Sequence, residues 1–91
     1  MPPSSVTRPI FTLFSRQYCG LCEDVKETLL RVQQRTPFTL KEIDIDDPQQ
    51  KQWLRKYMYE VPVVHRDDVL VGKHRVTEQQ VEQWLKDANA K

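Results

Sequence analysis

LFSRQYCGLC, Leu13–Cys22, joins an apolar run to the two cysteines of the chain. The run itself, IFTLF (Ile10–Phe14), is short and rich in β-formers, and reads as a buried strand. Downstream, Leu21, Val25, Leu29 and Val32 recur at four, four and three residues. That spacing makes one apolar stripe on a helix from about Gly20 to Gln34. Cys19 therefore falls between the end of a strand and the first turn of a helix, with Cys22 one turn further on.

Working outward, Pro37 breaks the helix. FTLKEIDI (Phe38–Ile45) has the β-branched and aromatic content of a second strand. DDPQQKQWLRKY reads as a second helix, with Asp46 or Asp47 as its cap, Pro48 at its first position, and Trp53, Leu54 and Tyr57 facing inward. Its exit, MYEV, contains no Gly, the residue that most often ends a helix, so its shape is not fixed. VPVVH (Val61–His65) and VLVG (Val69–Gly72) flank the polar turn Arg66-Asp67-Asp68 and form a hairpin. Thr77 and Gln80 make a capping box for a last helix with Val81, Trp84, Leu85 and Ala88 on its inner face. The order is β-α-β-α-β-β-α. It predicts an α/β fold: a mixed four-stranded sheet, parallel in its βαβ part and antiparallel in the hairpin, with three helices on both faces. Residues 1–7 are expected to be a disordered tail, 8–87 the domain and 88–91 a C-terminal tail.

Composition narrows the function. Ninety-one residues, 38% of them hydrophobic, suffice for one small core. Lys plus Arg (14) nearly cancels Asp plus Glu (13), and the net charge of +1 gives no electrostatic case for nucleic acid or an acidic membrane surface. No stretch has the length of a transmembrane helix. MPPSSVTRPI lacks the apolar segment of a secretory signal, so the expected location is a reducing compartment, the cytoplasm. There a CxxC is more often catalytic or metal-binding than a permanent staple.

Three readings of the cysteines stand open: a redox pair, half of a zinc site, or two inert thiols. Zinc needs four ligands, and His65 and His74, the remaining histidines, lie in or beyond the hairpin. For a redox pair the position is favourable. Free amides and the positive end of a helix dipole converge on Cys19, which lowers a thiol pKa. Cys19 would attack a disulfide and Cys22 would resolve the mixed disulfide. Glu23 and Asp24 compete for the same dipole, so the expected lowering is not extreme.

From about residue 8 to 87 the chain resembles the glutaredoxin-like proteins of the thioredoxin-fold superfamily. The resemblance rests on the element order, on FSRQYCGLC, on DIDDP opening the second helix, on Val61-Pro62 at the third strand and on Gly72 after the fourth. It implies a thiol–disulfide oxidoreductase with catalytic Cys19 and Cys22. It also implies a cis Pro62 opposite the pair. Val61 would offer its backbone to a thiol peptide such as glutathione, in the manner of strand addition. Arg16 would meet a glutathione carboxylate, and Tyr18, Gly20 and Leu21 would flank the groove. No cofactor is required; glutathione is an optional co-substrate, and no metal site is expected.

The chain also departs from that family. Gly20 replaces the usual Pro and Leu21 the usual Tyr. A small residue at position 20 is associated, in glutaredoxins, with an iron–sulfur cluster held between two subunits, so a cluster carrier using Cys19 is the alternative function. A non-catalytic adaptor is another. After Gly72 the run Lys73-His74-Arg75 has neither the second Gly nor the acidic residue that holds glutathione, and Glu60 puts a carboxylate near the groove. The expected partner is glutathione or a disulfide-containing protein, with no nucleic acid and no membrane, and the expected state is a monomer.

Overall fold

The structure is a computed structural model, and it describes residues 8–89. The expected tail at 1–7 lies outside the described residues. Strand β1 (Ile10–Ser15) leads to helix α1 (Gly20–Arg35), strand β2 (Thr39–Asp44), a single 3-10 turn (Pro48–Gln50), helix α2 (Lys51–Tyr57), strands β3 (Val63–Arg66) and β4 (Val69–Lys73), and helix α3 (Glu78–Asn89). Helix α3 includes Ala88, as its apolar spacing predicts, and ends at Asn89.

The strands lie in the order β2-β1-β3-β4. β1 runs parallel to β2 and antiparallel to β3, and β3 pairs antiparallel with β4. This is the mixed sheet expected from the element order. β1 is central, and every one of its residues after Ile10 is buried. A strand covered on both faces needs apolar side chains at successive positions, which is why IFTLF is continuous rather than alternating.

The pleat of β1 divides the core. Phe11 and Leu13 pack with Val25, Leu29 and Val32 of α1 and Val81 and Leu85 of α3. Phe14 points the other way, to Ile45, Tyr57 and Val63, with Trp53 and Leu54 of α2 packed against them. Helices therefore cover both faces of the sheet. The capping box of α3 forms as read: the Gln80 amide donates to Thr77 Oγ1 at 3.1 Å, and the Thr77 amide donates to Gln80 Oε1 at 2.9 Å. Gly72 has a packing reason, because a Cβ there would come within 2.7 Å of the Trp84 ring. Among the described residues, no helix is long and apolar enough to cross a membrane.

On the α2 face, buried His65 of β3 meets the Tyr57 hydroxyl at 2.7 Å through Nε2. Desolvation, aided by the positive charge of Lys56, holds the His65 pKa below its ordinary value of 6.5. The native imidazole thus resists a proton that the unfolded chain accepts freely. Its contribution to stability is complete above pH ~6.5 and falls as the pH drops from there toward the folded-state pKa. Denaturant midpoints taken between about pH 7.5 and 5.5 should decline on the acid side, and His65→Gln should flatten that slope. A wild-type midpoint constant over the window would contradict this account.

Candidate active site

The junction between β1 and α1 carries the cysteines. Tyr18 has φ 59°, a left-handed conformation uncommon for an aromatic residue, and its side chain is fully exposed. The next residue, Cys19, returns to extended geometry (φ −114°, ψ 105°) and is the N-cap of α1. Its sulfur accepts a hydrogen bond from the Cys22 amide at 3.1 Å, the place that a serine or aspartate oxygen takes in most N-caps. Cys19 and Cys22 are joined in a disulfide, with their Cα atoms 5.2 Å apart.

The two sulfurs are not equivalent. Cys22 is only 2% exposed and belongs to the buried face of α1, whereas Cys19 is partly exposed. Cys19 opens onto a groove of about 670 Å³ lined by Arg16, Gln17, Tyr18, Asp46, Met58, Tyr59 and Val61. The Val61–Pro62 peptide bond is cis, and Pro62 is buried.

Of the residues expected around Cys19, the groove thus gathers Arg16, Tyr18 and Val61. Gly20 is exposed at the first position of α1, and a Cβ there would meet nothing within 4 Å. Leu21 does not line this groove. It faces a separate cleft with Val25, His74, Arg75 and Val76. Val61 has its N–H engaged by the Tyr57 carbonyl at 3.2 Å, so this bond leaves only the Val61 carbonyl open to a peptide.

Charge in the groove is internally paired. Arg16 donates from Nε and Nη2 to the two oxygens of Asp46, each at 3.0 Å, and from Nη1 to the Met58 carbonyl at 3.3 Å. Glu60, which the sequence puts near the groove, is bonded to Lys73 at 2.6 Å, and that contact holds its carboxyl below the ordinary value. Asp46, Met58 and Tyr59 were not foreseen as groove residues. The signal for Asp46 was in the ambiguity over the helix cap. Asp47 does the capping, accepting from the Gln49 amide at 2.9 Å, which leaves Asp46 free to turn toward Arg16.

A cysteine pair at a strand–helix junction, with Val61 of a cis Val–Pro bond in the same groove, can be compared with known proteins. The model of the glutaredoxin-like domain (DUF836) matches residues 10–86. The chain belongs to this glutaredoxin-like family. A relative from Dictyostelium discoideum, described as "Glutaredoxin-like protein YDR286C homolog", is 39% identical over 69 residues. That match covers 71% of this chain and 64% of the relative, so the chain spans less than two thirds of the relative's length. Among solved structures, the solution structure of protein Ne2328 from Nitrosomonas europaea gives a TM-score of 0.74 at 24% identity, over 88% of this chain and 94% of that one. A thioredoxin from Halobacterium salinarum gives 0.66 at 18% identity, over 97% of this chain and 80% of that one. These two likenesses show the fold: the glutaredoxin-like domain has a thioredoxin fold, with its Cys19–Cys22 pair at the start of α1.

Among the described residues, no group of three or more His, Cys, Asp or Glu gathers where one metal ion could sit. The two thiols of one chain are a partial ligand set at most, and they do not fit a cluster on their own. His65 is engaged by Tyr57 rather than turned toward the cysteines.

Proposed function

We propose that this protein is a thiol–disulfide oxidoreductase of glutaredoxin-like type, with Cys19 as nucleophile and Cys22 as resolving thiol. The asymmetry of the pair carries the reading: Cys19 opens on a groove and Cys22 is buried. The Cys22 amide and the positive end of α1 stabilise negative charge on the Cys19 sulfur.

In the reductive direction the Cys19 thiolate attacks one sulfur of a substrate disulfide. A Cys19–substrate disulfide forms and the other substrate sulfur leaves as a thiolate. The Cys22 thiolate then attacks the Cys19 sulfur, releasing the second substrate thiol and leaving the Cys19–Cys22 disulfide. Two electrons pass from the pair to the substrate, and the two protons lost by the pair go to the two product thiols. A low-molecular-weight thiol such as glutathione, or a protein dithiol, returns the pair to its reduced form. Tyr18, Tyr59 and Val61 supply the walls along which the substrate lies.

Cys22→Ser separates the two steps. Incubated with a protein or small-molecule disulfide, this variant should accumulate a mixed disulfide on Cys19, visible by mass spectrometry as a gain of one substrate thiol. No adduct with either substrate class would exclude the reading.

A further inference from the structure

Among the described residues, Arg16 is the one cationic residue lining the groove at Cys19. An anionic thiol peptide entering beside Cys19 would need it as an anchor. Asp46, however, takes both of the parallel donors of the guanidinium, and the Met58 carbonyl takes a third. Two parallel bonds to one carboxylate are the strongest geometry that arginine offers, and the same geometry is what an incoming carboxylate would have to use. Of the remaining lining residues, Tyr18, Met58, Tyr59 and Val61 are aromatic or apolar, Gln17 is polar but uncharged, and both tyrosines are exposed. The neighbouring charge pair, Glu60 with Lys73, is likewise closed on itself.

We propose that Asp46 is a specificity residue: by occupying Arg16 it turns the groove against anionic thiol peptides and toward uncharged disulfide segments with apolar or aromatic flanks. This rests on the reading of the groove as the substrate site of Cys19. A carboxylate ligand must displace Asp46, and the displaced Asp46 is then a like charge beside it. An uncharged segment meets neither obstacle.

The test is a titration of the oxidised protein, followed by NMR at low salt, with N-acetyl-S-methylglutathione and with its uncharged diethyl ester as probes. Asp46→Asn and Asp46→Ser remove the competing charge. Both should bind the acid about fivefold to tenfold more tightly than wild type does, with the ester unchanged. The gain should shrink with added salt and vanish in the double variant R16Q/D46N. The serine variant guards against an asparagine that still holds Arg16. Unchanged or weaker acid binding in both Asp46 variants overturns the proposal, as does equal tightening of acid and ester, or a gain that survives loss of Arg16. The titration requires no turnover. If Cys22→Ser traps no adduct while the acid and ester behave as expected, the redox reading fails, and what stands is that Asp46 sets the charge preference of the groove, without the disulfide substrate.

Discussion

Cys19→Ser is expected to abolish turnover of small mixed disulfides and of protein disulfides alike, by ~10³-fold or more. Two arguments set that size. An alkoxide is scarcely populated at neutral pH, and an oxygen cannot enter a disulfide, so both attack and resolution are lost. Cys22 cannot substitute, because it is 2% exposed and lies on the face of α1 that packs into the protein rather than in the groove. Cys22→Ser has a different profile: it keeps the attacking thiol and the groove, and loses only release of the second thiol. Steady-state rates of the two variants on one glutathionylated small molecule and one protein disulfide separate these cases. Cys19→Ser activity within tenfold of wild type would mean that another group makes the attack. Circular dichroism should show an unchanged fold, since serine is itself a favoured N-cap and can accept from the amide of residue 22 as the sulfur now does.

The charges around Cys19 give the site its particular character. In the sequence, Glu23 and Asp24 compete with a thiolate for the helix dipole, Glu60 puts a carboxylate near the groove, and Asp46 and Asp47 are alternative caps of the second helix. In the structure, Asp46 is held by Arg16, Glu60 by Lys73, and Asp47 is turned to the helix cap. What confronts a substrate is closer to a neutral, aromatic-walled groove. These pairs are solvent-exposed, so each stabilises the fold little. Their consequence is for recognition, because each sets which ligand charges meet a free partner.

The fold was legible because its signals were local and redundant. The β1 run, the α1 stripe and the α3 capping box each follow from spacing alone, and topology then leaves one plausible assembly. Where local signals ran out, the reading lost detail. The spacing predicts a second helix continuous from DDP, yet Pro48–Gln50 forms a 3-10 turn and α2 begins at Lys51. Apolar periodicity does not distinguish bonds to the third residue from bonds to the fourth in a first turn. For the site, the strand–helix junction fixed Cys19 and Cys22. The cis Val61–Pro62 bond came only with the resemblance, since nothing in the residues themselves imposes it. Leu21 belongs both to the α1 stripe by spacing and to the groove by resemblance; helical geometry keeps it near Val25 and away from the groove. The Arg16–Asp46 pair joins residues thirty positions apart, and no local pattern announces it.

Phe14→Ala should cost the largest share of stability of any single truncation on the α2 face, about 3–5 kcal/mol. Phe14 is 1% exposed, and its ring centroid lies 4.6 Å from Trp53, 5.1 Å from Tyr57 and 4.7 Å from His65. It is the common neighbour of the aromatic residues that hold α2 to the sheet. Removing the ring opens a void that the rigid β1 backbone, paired on both sides, cannot close. For a domain of this size the loss corresponds to a melting temperature lower by on the order of 15–30 °C. A small domain holds only about 5–15 kcal/mol in all, so the variant should stand near the folding threshold. Phe14→Leu keeps most of the volume and should lose less than half as much. Ile10→Ala, at the exposed start of the same strand, should lose about 0.5 kcal/mol or less. The effect reaches the groove, because the Tyr57 carbonyl holds the Val61 amide beside Cys19. Below its melting point, Phe14→Ala should therefore also raise the KM for disulfide substrates, whereas Ile10→Ala should leave it unchanged. Thermal melts of the three variants decide the matter: a Phe14→Ala loss below about 1 kcal/mol would show that α2 is anchored by something other than this ring.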